Sequence, residues 1–72
     1  MSDTIVIYTH PDCAYSAAAK AELSHMNIPF EEIDLTVSPE AWEVVERLTG
    51  GDRTTPVIVE GDRVTVGFHG VG

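Results

Sequence analysis

An α/β fold built on a mixed four-stranded sheet is predicted by three features of the sequence. These are a β-branched run near its start, an alanine-rich helical segment directly after it, and two closing short strands around Gly61-Asp62. The 72 residues allow a single domain, 1–72, with a thin core. A chain of this size buries only about 60% of the surface that its extended form exposes.

Thr4–Thr9 (TIVIYT) is β-branched and aromatic, stops at His10-Pro11, and reads as a strand. The continuous Ile5-Val6-Ile7 fits a central strand covered on both faces. Ala14 to Met26 contains no Gly or Pro and is dominated by alanine, so a helix is predicted there. Helical spacing puts Ala14, Ala17, Ala18 and Ala21 on one face and Ala19, Leu23 and Met26 on an adjacent one. Side chains this small predict a close approach to the sheet, and Asn27 and Pro29 mark the helix end. Pro29–Leu35 predicts a second strand, its alternation interrupted by Glu31-Glu32. Ser38-Pro39-Glu40 opens a second helix, with Ser at the N-cap, Pro at the first position and an acid in the first turn. Ala41, Val44, Val45 and Leu48 set its buried stripe, and Gly50-Gly51 stops it. Val57–Glu60 and Arg63–Gly67 then form an antiparallel hairpin.

The order is therefore βαβαββ. Its βαβ unit makes the first two strands parallel with a right-handed crossover. Phe68–Gly72 is too short for a further helix, so one sheet face is expected to have less cover. Apolar surface left there makes self-association an expectation.

Four Lys and Arg stand against twelve Asp and Glu, a formal charge of −8 at pH 7. A nucleic-acid partner needs a basic footprint, and an anionic membrane surface attracts basic segments; neither partner is expected. Met1–Tyr8 lacks the basic start of a signal peptide, and no run approaches the roughly 20 apolar residues of a membrane span. Cys13 is the lone cysteine, so neither an internal disulfide nor a cysteine metal cluster forms within the chain. A reducing cytoplasm is the expected location.

Cys13 falls at the turn from the first strand to the first helix, where α/β folds present reactive groups. Unpaired amides and the helix dipole stabilise a thiolate there and lower the thiol pKa, whereas a merely structural cysteine is a small buried hydrophobe. Ser16, three residues on, can donate a hydrogen bond to a thiolate but cannot displace a mixed disulfide. Residue type alone also accounts for Ser16 as an ordinary first-turn residue. Thr54-Thr55-Pro56 precedes the third strand and reads as a strand entry.

Several pieces, in order and spacing, resemble the glutaredoxin family and its thioredoxin fold. They are Tyr8-Thr9-His10-Pro11-Asp12-Cys13-Ala14-Tyr15-Ser16, Ala19–Leu23, Ile28–Asp34, Arg53-Thr54-Thr55-Pro56-Val57-Ile58, and Gly61-Asp62 with Gly67-Phe68. The resemblance implies that Cys13 is the attacking cysteine. It puts Ser16 in the place of the resolving cysteine, which leaves a monothiol-like C-A-Y-S centre. Tyr15 matches an aromatic residue shaping the thiol pocket, and Pro56 matches a cis-proline facing the cysteine. The backbone of Thr55 would pair with a bound thiol peptide, and Arg53 would hold a substrate carboxylate.

The sequence departs from the family in three places. His10 stands where glutathione-using members usually carry Lys, which makes the charge near the thiolate pH-dependent. The acidic residues that follow a second Gly in glutathione binders are absent after Gly67. Gly67-Phe68 is closer to glutaredoxin-like redoxins served by thioredoxin reductase, which need the cysteine that Ser16 replaces. The final helix of the family is missing.

The expectation is a monothiol thiol–disulfide oxidoreductase acting on mixed disulfides between proteins and a small thiol. Glutathione or another small thiol serves as cosubstrate, no cofactor is tightly bound, and the partners are thiolated or disulfide-bearing proteins. The alternatives are a carrier of a [2Fe–2S] cluster using Cys13 from each subunit, and a redox-inactive adaptor. Against the cluster, Ala14-Tyr15 departs from the usual Cys-Gly-Phe-Ser carrier centre. Trp42 is expected to be flanking packing, His25 to face solvent, and His25 and His69 to lack metal partners. Glu31, Glu32, Glu43 and Glu46 are expected to be ordinary solvated acids, with Lys20 pairing with acids on its own helix.

Overall fold

The computed structural model describes residues 4–67. They form β1 (Ile5–Thr9), α1 (Ala14–His25), β2 (Phe30–Asp34), a 3-10 turn (Pro39–Ala41), α2 (Trp42–Thr49), β3 (Val57–Glu60) and β4 (Arg63–Val66). The expectations for His69 and for the chain end from Phe68 lie outside the described residues. Among those described, no helix follows β4.

The strand order is β2-β1-β3-β4. β1 runs parallel to β2, in the register Ile7 opposite Glu32, and antiparallel to β3, with Tyr8 opposite Val57. The hairpin of β3 and β4 pairs Glu60 with Arg63 and turns at Gly61, whose φ of 59° suits a residue without a Cβ. The apolar run of β1 thus takes an interior position, where residues are covered on both faces.

Alternation along β1 and β3 divides the apolar side chains between two layers. Tyr8, Leu35, Ala41, Val45 and Val57 form one buried cluster, flanked by Val6, Ile33, Val44, Leu48 and Val59. The stripe read from the sequence of α2 is therefore the one that it buries. Ile5, Ile7 and Thr9 face the other way, beneath α1, and are buried as well.

The two helices depart from expectation in different ways. In α1 the buried residues are Ser16 and Ala19, whereas Ala14, Ala17 and Ala21 are exposed and Met26 is 57% exposed. An alanine-rich helix has weak amphipathicity, so spacing alone does not say which small-residue face meets the sheet. The second helix begins with the 3-10 turn rather than an α-turn, and Ser38 at its start makes no side-chain cap. Its end is as expected, with Gly50 in the left-handed region at φ 80°. Asn27, at φ 58°, likewise leads the chain out of α1.

Leu35 is 1% exposed, whereas Val37, two residues on, is 78% exposed. Leu35→Ala is expected to cost about 2–5 kcal/mol, and Val37→Ala to stay within about 0.5 kcal/mol. Thermal unfolding followed by circular dichroism checks this, with Tm falling by at least about 8 °C for the first variant only.

Candidate active site around Cys13

The register of β1 against β3 assembles the site. Tyr8 opposite Val57 sets the residues just after β1 beside those just before β3, and so brings Cys13 to Thr55 across 42 positions of sequence. Cys13 occupies the N-cap position of α1, with extended backbone and partial exposure to solvent. Its amide donates to the His10 carbonyl at 3.0 Å, and its own carbonyl accepts from the Ser16 and Ala17 amides at 3.1 and 3.3 Å. The sulfur is thereby fixed at the mouth of the helix, where amide donors are unpaired.

Thr55 and Ser16 supply most of the sulfur's polar surroundings. As a thiol, Cys13 Sγ donates to the Thr55 carbonyl at 3.5 Å. Partial burial pushes the thiol pKa up. Hydrogen bonds to the thiolate from the side chains of Thr55 and Ser16, and from the Ser16 and Tyr15 backbone, push it down further, so the thiol lies below its ordinary value. Ser16 is 1% exposed, and its Oγ also accepts the His10 amide at 3.3 Å. The hydroxyl is thus buried and bonded to the turn that precedes Cys13. The Thr55–Pro56 peptide bond is cis, and Pro56 is fully buried.

The other expected site residues sit further from the sulfur's own bonds. The His10 ring turns its Nδ1 to the Asp12 amide, which donates to it at 3.1 Å, so its visible role is to clip the turn before Cys13. Tyr15 is 43% exposed beside the cysteine. Arg53 is engaged elsewhere: its Nε donates to Glu46 Oε2 at 2.5 Å, and its guanidinium carbon lies 5.2 Å from the centroid of the Trp42 ring. Trp42 packs on the core as expected and carries this cation as well.

Sequence reasoning missed two polar groupings. Glu46 is the ion-pair partner just described, not a plain solvated acid. Glu32 Oε2 accepts from Lys20 Nζ at 2.8 Å and from Thr9 Oγ1 at 2.7 Å, so Lys20 reaches across to β2 instead of pairing along its own helix. Both bonds hold the Glu32 carboxyl below its ordinary pKa, Lys20 contributing most. The available signal was the parallel register, which puts Glu32 and Thr9 on the sheet face beneath α1. These residues border a small cavity of about 90 Å³ with Cys13, Ser16 and His10. His25 is exposed, as expected.

Comparison with known proteins bears on the family and the fold. The family model described as glutaredoxin matches residues 5–64. The chain belongs to the glutaredoxin family. Glutaredoxin 1 of Rickettsia felis is 39% identical over 56 residues, covering 76% of this chain and 55% of that protein. The glutaredoxin-like protein NrdH of Escherichia coli is 36% identical over 65 residues, covering 90% of this chain and 78% of its own. The chain spans a little over half the length of the rickettsial relatives. Among solved structures, the E. coli NrdH-redoxin, described by its thioredoxin-like activity profile, superposes with a TM-score of 0.79. It is 35% identical and covers 90% of this chain and 83% of its own. A glutaredoxin from Archaeoglobus fulgidus gives a TM-score of 0.81 at 21% identity, covering 92% and 76%, and shares the fold.

The described residues bring no three His, Cys, Asp or Glu side chains together as a metal set. Cys13 offers one thiolate, so a [2Fe–2S] cluster would need a second chain and external thiols, and no observation favours that alternative. No helix among the described residues is long and apolar enough to cross a membrane.

A lowered thiol pKa is directly measurable. The rate of Cys13 alkylation by iodoacetamide is expected to rise with pH through a midpoint below the ordinary cysteine value of about 8.5. Ser16→Ala, which removes one donor to the thiolate, is expected to move that midpoint upward. A midpoint at or above the ordinary value in the unmodified protein would remove the basis for a poised nucleophile.

Proposed function

We propose that this protein is a monothiol oxidoreductase that resolves mixed disulfides between proteins and a small thiol. The observation carrying this reading is the Cys13 sulfur at the mouth of α1, partly exposed, its thiolate stabilised by Thr55 and Ser16. The Cys13 thiolate attacks the small-thiol sulfur of the mixed disulfide, a new S–S bond forms, and the protein thiolate leaves and takes up a proton. The thiolate of a second small-thiol molecule then attacks the sulfur attached to Cys13, releasing the small-thiol disulfide and regenerating Cys13. Each turnover consumes one small thiol, whose sulfur is oxidised as the protein sulfur is reduced, and the disulfide bond passes from the protein to the pair of small thiols.

The 72 residues contain one cysteine, so no intramolecular disulfide can store the electrons, and the dithiol route is closed to a single copy of them. Ser16 serves by stabilising the thiolate instead of resolving the intermediate. The backbone of Thr55, beside the buried Pro56, pairs with the bound peptide, and the exposed Tyr15 next to Cys13 shapes the thiol pocket. His10 holds the turn, and Arg53, through the guanidinium N–H groups that Glu46 does not take, is the candidate hold for a carboxylate of the small thiol. Glutathione and other small thiols are the candidate cosubstrates, and thiolated proteins in a reducing cytoplasm are the partners.

Turnover of a peptide–glutathione mixed disulfide, with glutathione as reductant, tests this. Cys13→Ser is expected to reduce the rate to the uncatalysed background, while Ser16→Ala retains turnover at a lower rate near neutral pH. Turnover undiminished in Cys13→Ser would overturn the proposal.

A further inference from the structure

We propose that Glu46, through its ion pair with Arg53, sets the charge preference of the thiol groove and turns it away from carboxylate-bearing small thiols. The inference rests on the reading of Arg53 as the carboxylate hold and goes beyond it. Arg53 is two residues from Thr55, whose carbonyl accepts from the Cys13 sulfur, so their Cα atoms lie within about 7 Å. The charge is not free. Glu46 Oε2 takes the Nε–H, and the Trp42 ring lies against the guanidinium. Glu46 sits one turn along α2 from Trp42, so a single helix face carries both contacts.

An arginine paired in this way presents an incoming carboxylate with a dipole instead of a full positive charge. The remaining guanidinium N–H groups can still donate, yet a substrate carboxylate must then settle beside the Glu46 carboxylate. With a chain charge of −8 there is little cationic field to offset that repulsion. A neutral thiol, or a thiolated protein with a basic surface, meets no such opposition. Trp42 lies beside the guanidinium, and Glu46 decides how much of its charge reaches the groove. Glu46 is thus a positioning residue that acts through Arg53 without touching substrate.

Competitive alkylation of Cys13 by iodoacetate and iodoacetamide tests this without requiring turnover. The two reagents displace the same leaving group and differ in charge, so their rate ratio reads the potential at the sulfur and cancels changes in thiolate fraction. Glu46→Gln is expected to raise the iodoacetate-to-iodoacetamide ratio about two- to fivefold, the span of an exposed ion pair. Arg53→Met is expected to lower it, and in that background Glu46→Gln should no longer act. Glu43→Gln, which removes an acid elsewhere on α2, should leave the ratio unchanged. In steady state, Glu46→Gln should lower KM for a peptide disulfide of 3-mercaptopropionate with kcat unchanged, and leave the 2-mercaptoethanol disulfide unaffected. A ratio that falls in Arg53→Met but does not move in Glu46→Gln overturns the role of Glu46 and leaves that of Arg53 standing. No effect of Arg53→Met overturns both. An equal rise in Glu43→Gln reduces the effect to bulk charge and overturns the proposal.

Discussion

The approach of Cys13 to Thr55 is the constraint on which the site depends. Neither residue is placed by its own neighbours alone. Cys13 is where it is because β1 ends at Thr9 and the His10 carbonyl catches its amide; Thr55 because β3 begins two residues later beside Tyr8. The interior position of β1 holds the two ends in register, and burial of Ile7 and Val57, both 0% exposed, keeps that register from slipping. A one-residue shift would turn the apolar set of β3 to the opposite face and carry Thr55 away from the sulfur. Core packing and chemistry are therefore one problem in this small chain.

Much of the arrangement was legible in the residues because the signals were strong and local. The β-branched run of β1, the i, i+3, i+4, i+7 stripe of α2, and the Gly-containing turns at Gly50 and Gly61 each leave little choice of conformation. The buried face of α1 was not legible, since alanine at five of its twelve positions, spread around the helix, leaves no face clearly apolar. What decided it was a tertiary matter: Ser16 turned inward toward the cysteine, and Ala19 followed on the same side.

The polar groupings were illegible for a related reason. Glu32 and Lys20 are twelve positions apart, and Glu46 and Arg53 seven, across an element boundary in both cases. Charge counting sees four exposed acids of one kind. Only the sheet register and the end of α2 reveal that two of them have partners. The cysteine centre escaped this difficulty because position 13 at a strand-to-helix turn and position 16 one helical turn later are related by local geometry. Pro56, distant in sequence, was legible only through the family resemblance.

Thr55 meets the sulfur through its main chain, its carbonyl accepting from the thiol. At 3.5 Å this bond ties the mouth of α1 to the loop before β3. Loss of the proton removes the donor and leaves the carbonyl oxygen facing a thiolate, so ionisation weakens that tie. The ionised cysteine is thus the less tethered form, the one whose sulfur is at liberty to meet a second sulfur.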